Sequence, residues 1–408
     1  MNPGGPPAGK DLRTGPREET EPMTMIQILD STLREGEQTP GVFFDGHIKL
    51  AIAGALDQVG VDFIEAGHPK VSPEIYNATR LISQQKFKAT IGAHSRSLKE
   101  DVDLALECGV GFLGVFFCVS EDRLTHVHKK ELHRAVDQIA KVIAYGKEQR
   151  PELLIRYTPE DAVRSPFRNV MDASVAAVQA GADIISVADT TGYMIPGSSR
   201  SMYDYVSRLK GELADRGLYP KIAVHCHNDR GLALANALDG CRAGAEVIDA
   251  TVLGLGERAG IVDLAQLLYA LSADFGEANA WDFKRLPELY QLVSQHSEVP
   301  IPVNFPLVGA NAFTHCAGVH THASARNPMH YQSIAPELLG RTMNVALDHM
   351  AGLSSIKWAF EKIGAGEDDH MALRVLEVVK SIGQRGRTVR LDELRHIIDW
   401  CGSTSEPD

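Results

Sequence analysis

Residues 181–190 read Gly-Ala-Asp-Ile-Ile-Ser-Val-Ala-Asp-Thr, and this stretch contains the signal that decides the fold. The glycine is followed by a hydrophobic residue, an acidic residue and a β-rich run, which predicts the end of a helix and the start of a strand. Related steps occur at Gly60-Val-Asp, Gly109-Val-Gly and Gly244-Ala-Glu. The chain therefore repeats a strand–helix unit.

Eight short β-rich runs alternate with amphipathic segments such as 48–59 and 98–108. The predicted strands cover residues 26–31, 61–66, 89–94, 112–118, 153–158, 184–189, 222–227 and 247–253. Eight units in about 250 residues are typical of a parallel (β/α)8 TIM barrel, and a doubly wound sheet is the alternative fold.

The remaining sequence divides by composition. Residues 1–24 are rich in Pro, Gly and charge without an apolar stretch, which predicts a disordered tail rather than a signal peptide. Residues 25–280 form the predicted catalytic barrel. Residues 281–340 are Pro-rich and polar and are predicted to be a linker and lid loop subdomain, while 341–408 are predicted to be a helical lid subdomain with a short tail.

Composition excludes several function classes. The net charge of −12 argues against nucleic acid or an anionic membrane as partner. No apolar run approaches the roughly 20 residues of a membrane span. The six cysteines have no CxxC spacing, and we expect reduced, mostly buried thiols in a cytoplasmic protein.

Two distant segments carry the chemistry: Asp-Ser-Thr-Leu-Arg-Glu-Gly-Glu-Gln at 30–38 and His-Cys-His-Asn-Asp at 225–229. Because side chains alternate along a strand, His225 and His227 are predicted to share one face. With Glu35 they form an open three-ligand set for a divalent metal, and Zn, Mn, Mg or Co all suit such ligands. An isolated His-x-His is more often structural, but the two surrounding motifs favour a metal site here.

Such a metal would leave positions for the 1-carboxylate and the 2-carbonyl oxygen of a 2-oxo acid. Arg34, next to the proposed ligand Glu35, would stabilise the alkoxide that forms on nucleophilic attack. In a TIM barrel the active site lies at the carboxyl ends of the strands, and unusual polar residues follow all eight predicted strands.

The sequence resembles the homocitrate synthase and isopropylmalate synthase family, whose members condense acetyl-CoA with 2-oxo acids in a metal-dependent Claisen reaction. The matching segments are DSTLREGEQ (30–38), HCHNDRGLALAN (225–236), GLGERAG (254–260) and AFTHCAGVH (312–320). Glu35 and the THCAGVH segment look more like homocitrate synthase. Lyases of the superfamily share the barrel and the metal motif but lack the segment after the barrel, which favours condensation over cleavage or aldol chemistry.

The resemblance implies roles for individual residues. Glu35, His225 and His227 would bind the metal, and Arg34, Glu160, His320 and Tyr331 would be catalytic, the last three in proton transfer. The residues predicted to contact the substrate are Gln38, Glu65, His68, Arg96, Arg156, Thr158 and Thr190. The family also implies a homodimer in which the lid covers the partner's barrel and supplies His320.

The identity of the 2-oxo acid depends on a few positions. Arg156 occupies the place of the arginine that binds the distal carboxylate in homocitrate synthases, which indicates a second anionic group. The alternative is an arginine paired with a nearby protein carboxylate. Leu98 stands where those enzymes carry a histidine, and His68 and Lys70 add basic groups. These departures favour an acid other than 2-oxoglutarate, with oxaloacetate or a phosphono- or phosphinopyruvate as alternatives.

Overall fold

The computed structural model describes residues 25–276, 281–316, 328–366 and 368–403. Within them, eight parallel strands close into a barrel in sequence order, with β1 paired to β8. The strands are β1 Gln27–Asp30, β2 Phe63–Glu65, β3 Thr90–Arg96, β4 Phe112–Cys118, β5 Leu154–Glu160, β6 Ile184–Asp189, β7 Lys221–Cys226 and β8 Val247–Ala250. The predicted TIM barrel is confirmed.

A helix follows each strand on the outside of the barrel. These helices are α1 Gly46–Val59, α2 Pro73–Ser83, α3 Lys99–Cys108, α4 Leu132–Gln149, α5 Phe167–Gln179, α6 Met202–Ala214, α7 Ala233–Arg242 and α8 Leu264–Asp274. Gly60 and Gly109 are left-handed caps of α1 and α3, and Gly181 and Gly244 follow helix ends with positive φ. The glycine steps therefore end helices as predicted, because glycine adopts that conformation without steric cost.

The inward side chains of the strands fill the barrel in layers. The lower layer is apolar and contains Leu29, Phe63, Phe112, Ile184, Ala223 and Val247. Since side chains alternate, the next inward residue of several strands is polar, as in Arg156 of β5 and His225 of β7. The strand sequences therefore place a layer of polar side chains inside the barrel, directly above the buried apolar layer.

Strand ends differ from the sequence prediction by a few residues. The predicted last strand continued to residue 253, but β8 ends at Ala250, and a 3-10 turn follows over Val252–Gly254 with Leu253 at φ 62°. This turn directs the following Gly-rich loop back toward the barrel axis, where the Glu257 amide meets Glu35.

The chain after the barrel has two parts. Helix α9, Leu286–Ser297, packs its apolar face on the outside of the barrel against α1 and the turn after β8, and Tyr290 donates a 2.7 Å hydrogen bond to Asp263. A two-stranded sheet joins β9 Thr314–His315 to β10 Asn344–Val345. Three helices follow: α10 Leu353–Ile363, α11 Asp369–Gly383 and α12 Leu391–Ser403.

These last helices enclose a core of their own, built around Ile356, Val375 and Leu394. None of the six cysteines, all of which lie in the described ranges, forms a disulfide, and five of them are buried. No helix in the described ranges has the length and hydropathy that crossing a membrane requires.

Candidate active site

The two sequence motifs meet at the carboxyl end of the barrel. Glu35 follows β1, His225 lies on β7 and His227 follows it, and all three are buried. The His225 and His227 Nε2 atoms are 3.3 Å apart, and His227 Nε2 is 3.9 Å from Glu35 Oε1. One ligand atom from each residue lies within 4.8 Å of the others, a grouping that suits a metal ion.

The contacts around this cluster fix which atoms face its centre. Asp249 Oδ2 lies 2.9 Å from His225 Nδ1, so this carboxylate can accept the Nδ1 proton, and the ring presents its Nε2 atom to His227. Two imidazole nitrogens and a carboxylate then converge in a buried space, an arrangement that a divalent cation stabilises. The donor set therefore fits a metal.

Ionisation of the cluster is compatible with metal binding. Burial, followed by the effect of neighbouring His225, lowers the pKa of His227 to about 3, so this imidazole is neutral near pH 7. Burial opposes ionisation of Glu35, but Arg34 and the two histidines outweigh it and hold its pKa below the usual value. The Gln38 amide nitrogen, turned toward Glu35, lies 3.0 and 3.2 Å from its carboxylate oxygens.

Arg34 projects into the cavity next to the metal cluster. Its guanidinium forms an ion pair with Glu35 and donates a 2.6 Å hydrogen bond to Glu65. Burial opposes ionisation of Glu65, yet Arg34 and His94 hold its pKa well below the usual range. Ser31 donates a further 2.7 Å hydrogen bond to Glu65. Glu65 therefore positions Arg34 and is itself fully buried.

Arg156 is also paired with a protein carboxylate, which was the alternative interpretation of its sequence. Its Nη1 lies 2.7 and 2.9 Å from the two Asp249 oxygens, and its Nη2 lies 3.6 Å from Glu65. The side chain is almost fully buried but lines the cavity, and its Nε has no hydrogen-bond partner. Arg156 thus connects through Asp249 to His225 of the Glu-His-His cluster.

The basic residues after β2 and β3 form a cluster around Asp101. His68 Nε2 lies 2.9 Å from Asp101 Oδ2, and Arg96 donates two 2.8 Å hydrogen bonds to the same carboxylate. His68 lines the cavity, whereas Arg96 does not and is about half exposed. Lys70 pairs with Glu100 at 3.3 Å, and Leu98 points outside the cavity with 40% of its surface exposed.

The opposite wall carries the predicted residues of β5 and β6. Glu160, Thr158 and Thr190 all line the cavity. Glu160 forms an ion pair with Arg123, and the buried hydroxyl of Thr158 has no partner. Thr190 Oγ1 accepts a 2.9 Å hydrogen bond from the Asp161 amide.

The two predicted lid residues are not brought to this site within the described part of the chain. His320 lies outside the described residues. Tyr331 is 47% exposed and is not among the residues lining the cavity.

The cavity has a volume of about 230 Å³ and includes residues to which the sequence assigned no role. His94 stacks on Phe116 at 4.6 Å and lies 3.2 Å from Glu65, and Asp249 and Glu257 complete the wall. Burial, then Arg34, lowers the pKa of His94 to about 4. Strand alternation was the available signal, since His94 and Asp249 face inward on β3 and β8.

The fold is a TIM barrel with a buried Glu-His-His cluster of suitable geometry for a metal ion, and sequence comparison assigns the class of the protein. Residues 25–293 match the HMGL-like family, and residues 307–387 match the homocitrate synthase post-HMGL domain-like family.

Relatives named homocitrate synthase align with nearly the whole chain. The Pyrococcus horikoshii protein is 42% identical over 354 residues, which are 87% of this chain and 94% of the relative. The Pyrococcus abyssi protein is 43% identical with the same coverage. A Saccharolobus islandicus relative is 38% identical over 88% of this chain and 77% of its own length.

Solved structures agree on the fold. An HMG-CoA lyase from Bacillus subtilis superposes with a TM-score of 0.58 at 22% identity, covering 69% of this chain and 97% of the lyase. An Acinetobacter baumannii HMG-CoA lyase, solved with coenzyme A and 3-methylmalate, gives 0.56 at 19% identity, covering 67% and 92%.

The chain belongs to the homocitrate synthase and isopropylmalate synthase family. It is therefore an acyltransferase that condenses acetyl-CoA with a 2-oxo acid, in a family that depends on a divalent metal.

Proposed function

We propose that the 2-oxo acid carries a distal anionic group, so that the products are a homocitrate- or citrate-like 2-hydroxy acid and free CoA. The observation that carries this proposal is the 42–43% identity, over 94% of their length, to proteins named homocitrate synthase. 2-Oxoglutarate is the first candidate on that ground.

Glu35, His225 and His227 are the residues that would hold the divalent metal, which supplies Lewis-acid polarisation of the 2-oxo group. Arg34 contributes a positive charge beside them. Because Glu35 and Glu65 hold its guanidinium, it is preorganised to donate a hydrogen bond to the oxygen on which negative charge develops. Gln38 and Glu65 orient these groups, and Thr158 and Thr190 offer hydroxyls to the substrate carboxylate.

Glu160 is the residue we propose to remove a proton from the acetyl methyl group. It lies in the cavity wall, and its side chain is only 30% exposed. Its ion pair with Arg123 fixes the orientation of the carboxylate in the cavity wall, and a general base must be positioned in this way. His320 and Tyr331 are proposed to take part in proton transfer from the lid.

The distal anion would meet Arg156 and His68. Arg156 lines the cavity, and while Asp249 occupies its Nη1, its Nη2 has only the longer 3.6 Å contact with Glu65. His68 is held by Asp101, and Arg96 binds the other side of that carboxylate.

A second candidate substrate follows from the same wall. His68 lines the cavity, while Leu98, which stands at the place of a family histidine, lies outside it. Anion recognition at a different position favours a shorter or differently shaped dianion, such as oxaloacetate or phosphonopyruvate or phosphinopyruvate.

We propose that the protein is a cytoplasmic homodimer with exchanged lids. Five buried cysteines without a disulfide among the described residues suit a reducing compartment. Tyr331 lies outside the cavity of its own chain, which suits a lid that completes the partner's site. Mixing a Glu35→Gln protein with a His320→Ala protein tests this: subunit exchange should restore activity, and no recovery in a proven mixed dimer would contradict lid exchange.

Release of free CoA thiol across a panel of 2-oxo acids tests the substrate proposal. We expect 2-oxoglutarate, oxaloacetate or phosphonopyruvate to react faster than 2-oxoisovalerate. His68→Gln should raise KM for the preferred dianion about tenfold, the effect of losing one charged hydrogen bond. His133→Gln, a change at an exposed histidine on α4, is the matched control. Faster turnover of 2-oxoisovalerate than of every dianion would refute the proposal.

A further inference from the structure

Two arginines at the mouth of the barrel lie against one aromatic ring. The Arg200 guanidinium carbon is 4.2 Å from the Tyr193 ring centroid, and that of Arg230 is 5.6 Å from it. Arg230 also donates a 3.4 Å hydrogen bond to the Tyr193 carbonyl. Tyr193 therefore gathers two positive charges into one patch, which we call the Arg200–Arg230 patch.

Neither guanidinium has a carboxylate partner among the described residues. Other arginines after the barrel strands do have one, in pairs with Glu35, Asp101, Glu160, Asp249, Asp161 and Asp229. The acidic groups closest in sequence to the patch are already engaged: Asp229 pairs with Arg258, and Asp189 accepts the Tyr193 and Met194 amides. Burial raises the pKa of Asp189 and Arg230 partly offsets this effect, but Asp189 does not lie within ion-pair distance of Arg230. Two neighbouring cations without a direct ion pair in the described ranges favour an anionic ligand.

The patch lies beside the active-site cavity. Tyr193 follows the cavity residue Thr190 by three positions, and Arg230 follows the cavity residue His227 by three. Three residues span at most about 10 Å between Cα atoms, so both side chains start near the rim. The two loops also pack closely, since a Cβ on Gly192 would lie 3.0 Å from the His227 carbonyl oxygen.

The chemistry of the acyl donor matches this position. Acetyl-CoA carries its reactive thioester at one end and diphosphate and 3′-phosphate groups at the other. A guanidinium offers a planar fork of donors suited to phosphate oxygens. A protein with a net charge of −12 repels such an anion overall, so a local pair of cations is needed to attract it.

We propose that Arg200 and Arg230, positioned by Tyr193, bind phosphate groups of acetyl-CoA while the thioester enters the cavity between β6 and β7. The proposal rests on acetyl-CoA as acyl donor and is independent of which 2-oxo acid is used. Arg200 and Arg230 would therefore set the affinity for the nucleotide end of the donor and take no part in the chemical step.

Steady-state kinetics of Arg200→Gln, Arg230→Gln and the double variant test this assignment, with KM measured for each substrate in turn. Each single change should raise KM for acetyl-CoA about tenfold and the double change more, while KM for the 2-oxo acid stays within about twofold. A double variant at Arg80 and Arg216, which lie on α2 and after α6 at the opposite end of the barrel, changes the net charge equally and should leave both KM values unchanged.

A donor without the nucleotide separates phosphate binding from a general defect. With S-acetylpantetheine, wild type and the double Gln variant should react at the same rate. Arg200→Lys/Arg230→Lys retains the charge, and its KM for acetyl-CoA should fall between those of wild type and the Gln variant. Isothermal titration with CoA should rank the affinities of the folded proteins in the same order, with wild type highest and the double Gln variant lowest, even where turnover is low.

Three results would overturn the proposal: an unchanged KM for acetyl-CoA in the double Gln variant, an equal loss with S-acetylpantetheine, or a selective rise in KM for the 2-oxo acid. Failure of the substrate proposal would look different, because it changes the ranking of 2-oxo acids and leaves the acetyl-CoA dependence intact.

Discussion

Asp249 is predicted to control metal affinity although it is not a metal ligand. It is fully buried, orients His225 through a 2.9 Å contact and pairs with Arg156 at 2.7 and 2.9 Å. Burial opposes its ionisation, but Arg156 and His225 outweigh this and keep its pKa below the usual value. Asp249→Asn preserves the size of the side chain and removes the charge.

The structure allows two magnitudes to be worked out. Loss of the carboxylate that orients a metal-binding histidine typically lowers metal affinity by about 10- to 100-fold. Breaking a buried ion pair leaves Arg156 poorly compensated, with Glu65 still 3.6 Å away, and costs about 3–5 kcal/mol of folding free energy. Arg156→Gln combined with Asp249→Asn should lose less than the sum of the single changes, because the two charges then disappear together.

Metal affinity is measured by isothermal titration of metal-free protein, and stability by urea unfolding. Asp183→Asn is the control, since Asp183 pairs with Lys147 in a partly exposed position on the outside of the barrel. That change should cost at most about 1 kcal/mol and leave metal affinity unaltered. If Asp249→Asn bound metal within about twofold of wild type, Asp249 would have no orienting role.

Three further predictions concern catalysis, the Gly-rich loop and pH. Glu160→Gln should lower kcat by about 10²–10⁴-fold and slow the exchange of the acetyl methyl protons with deuterated water, while the affinity for CoA is retained. If mass spectrometry showed an unchanged exchange rate, Glu160 would be excluded as the base. Gly260→Ala should destabilise the loop and weaken metal binding, because its Cβ would lie 1.7 Å from the Gly254 carbonyl oxygen. Gly276→Ala is the control: Gly276 has a similar φ but open space around it, so this change should lower the free energy of unfolding in urea by only about 1 kcal/mol. Equal losses in the two variants would show that the cost comes from the positive φ alone and not from the steric clash. Burial raises the pKa of Asp30 to about 7, so between pH 4 and 7 the unfolded chain has lost this proton while the folded protein still holds it. The free energy of unfolding of wild type should therefore fall relative to that of Asp30→Asn as the pH rises from 4 to 7. Parallel plots of unfolding free energy against pH for the two proteins would contradict this prediction.

Much of the fold was predictable from local signals. Gly60 and Gly109 end helices because the left-handed caps require glycine, and the hydrophobic runs after such steps become barrel strands. The end of β8 was not predictable, because the 3-10 turn at Val252–Gly254 depends on long-range contacts such as the 2.9 Å bond between Thr32 and the Val252 amide. Helix α9 was likewise assigned to a linker, although its apolar face packs on the barrel.

The grouping of the motif residues at one end of the barrel was predictable. The motifs identified Glu35, His225 and His227, which the structure brings together. Residues that act through other residues gave weaker signals: Asp249 has a role only because Arg156 and His225 approach it across the barrel. The ion pairs of the two arginines were not predictable from motifs either. Arg156 pairs with Asp249, which is distant in sequence, and the pairing of Arg96 with Asp101 depends on the loop conformation.

Metal titration of thiol release tests most directly the claim that Glu35, His225 and His227 hold the catalytic metal for a dianionic 2-oxo acid. Chelator-treated protein is mixed with acetyl-CoA and either 2-oxoglutarate or 2-oxoisovalerate, and a divalent cation is added stepwise. We predict negligible release without metal and saturation near one cation per chain. Release should be faster with the best dianionic acid than with 2-oxoisovalerate, and no metal response is expected in Glu35→Gln. Full turnover in metal-free protein, or an unaltered metal response in Glu35→Gln, would contradict the assignment.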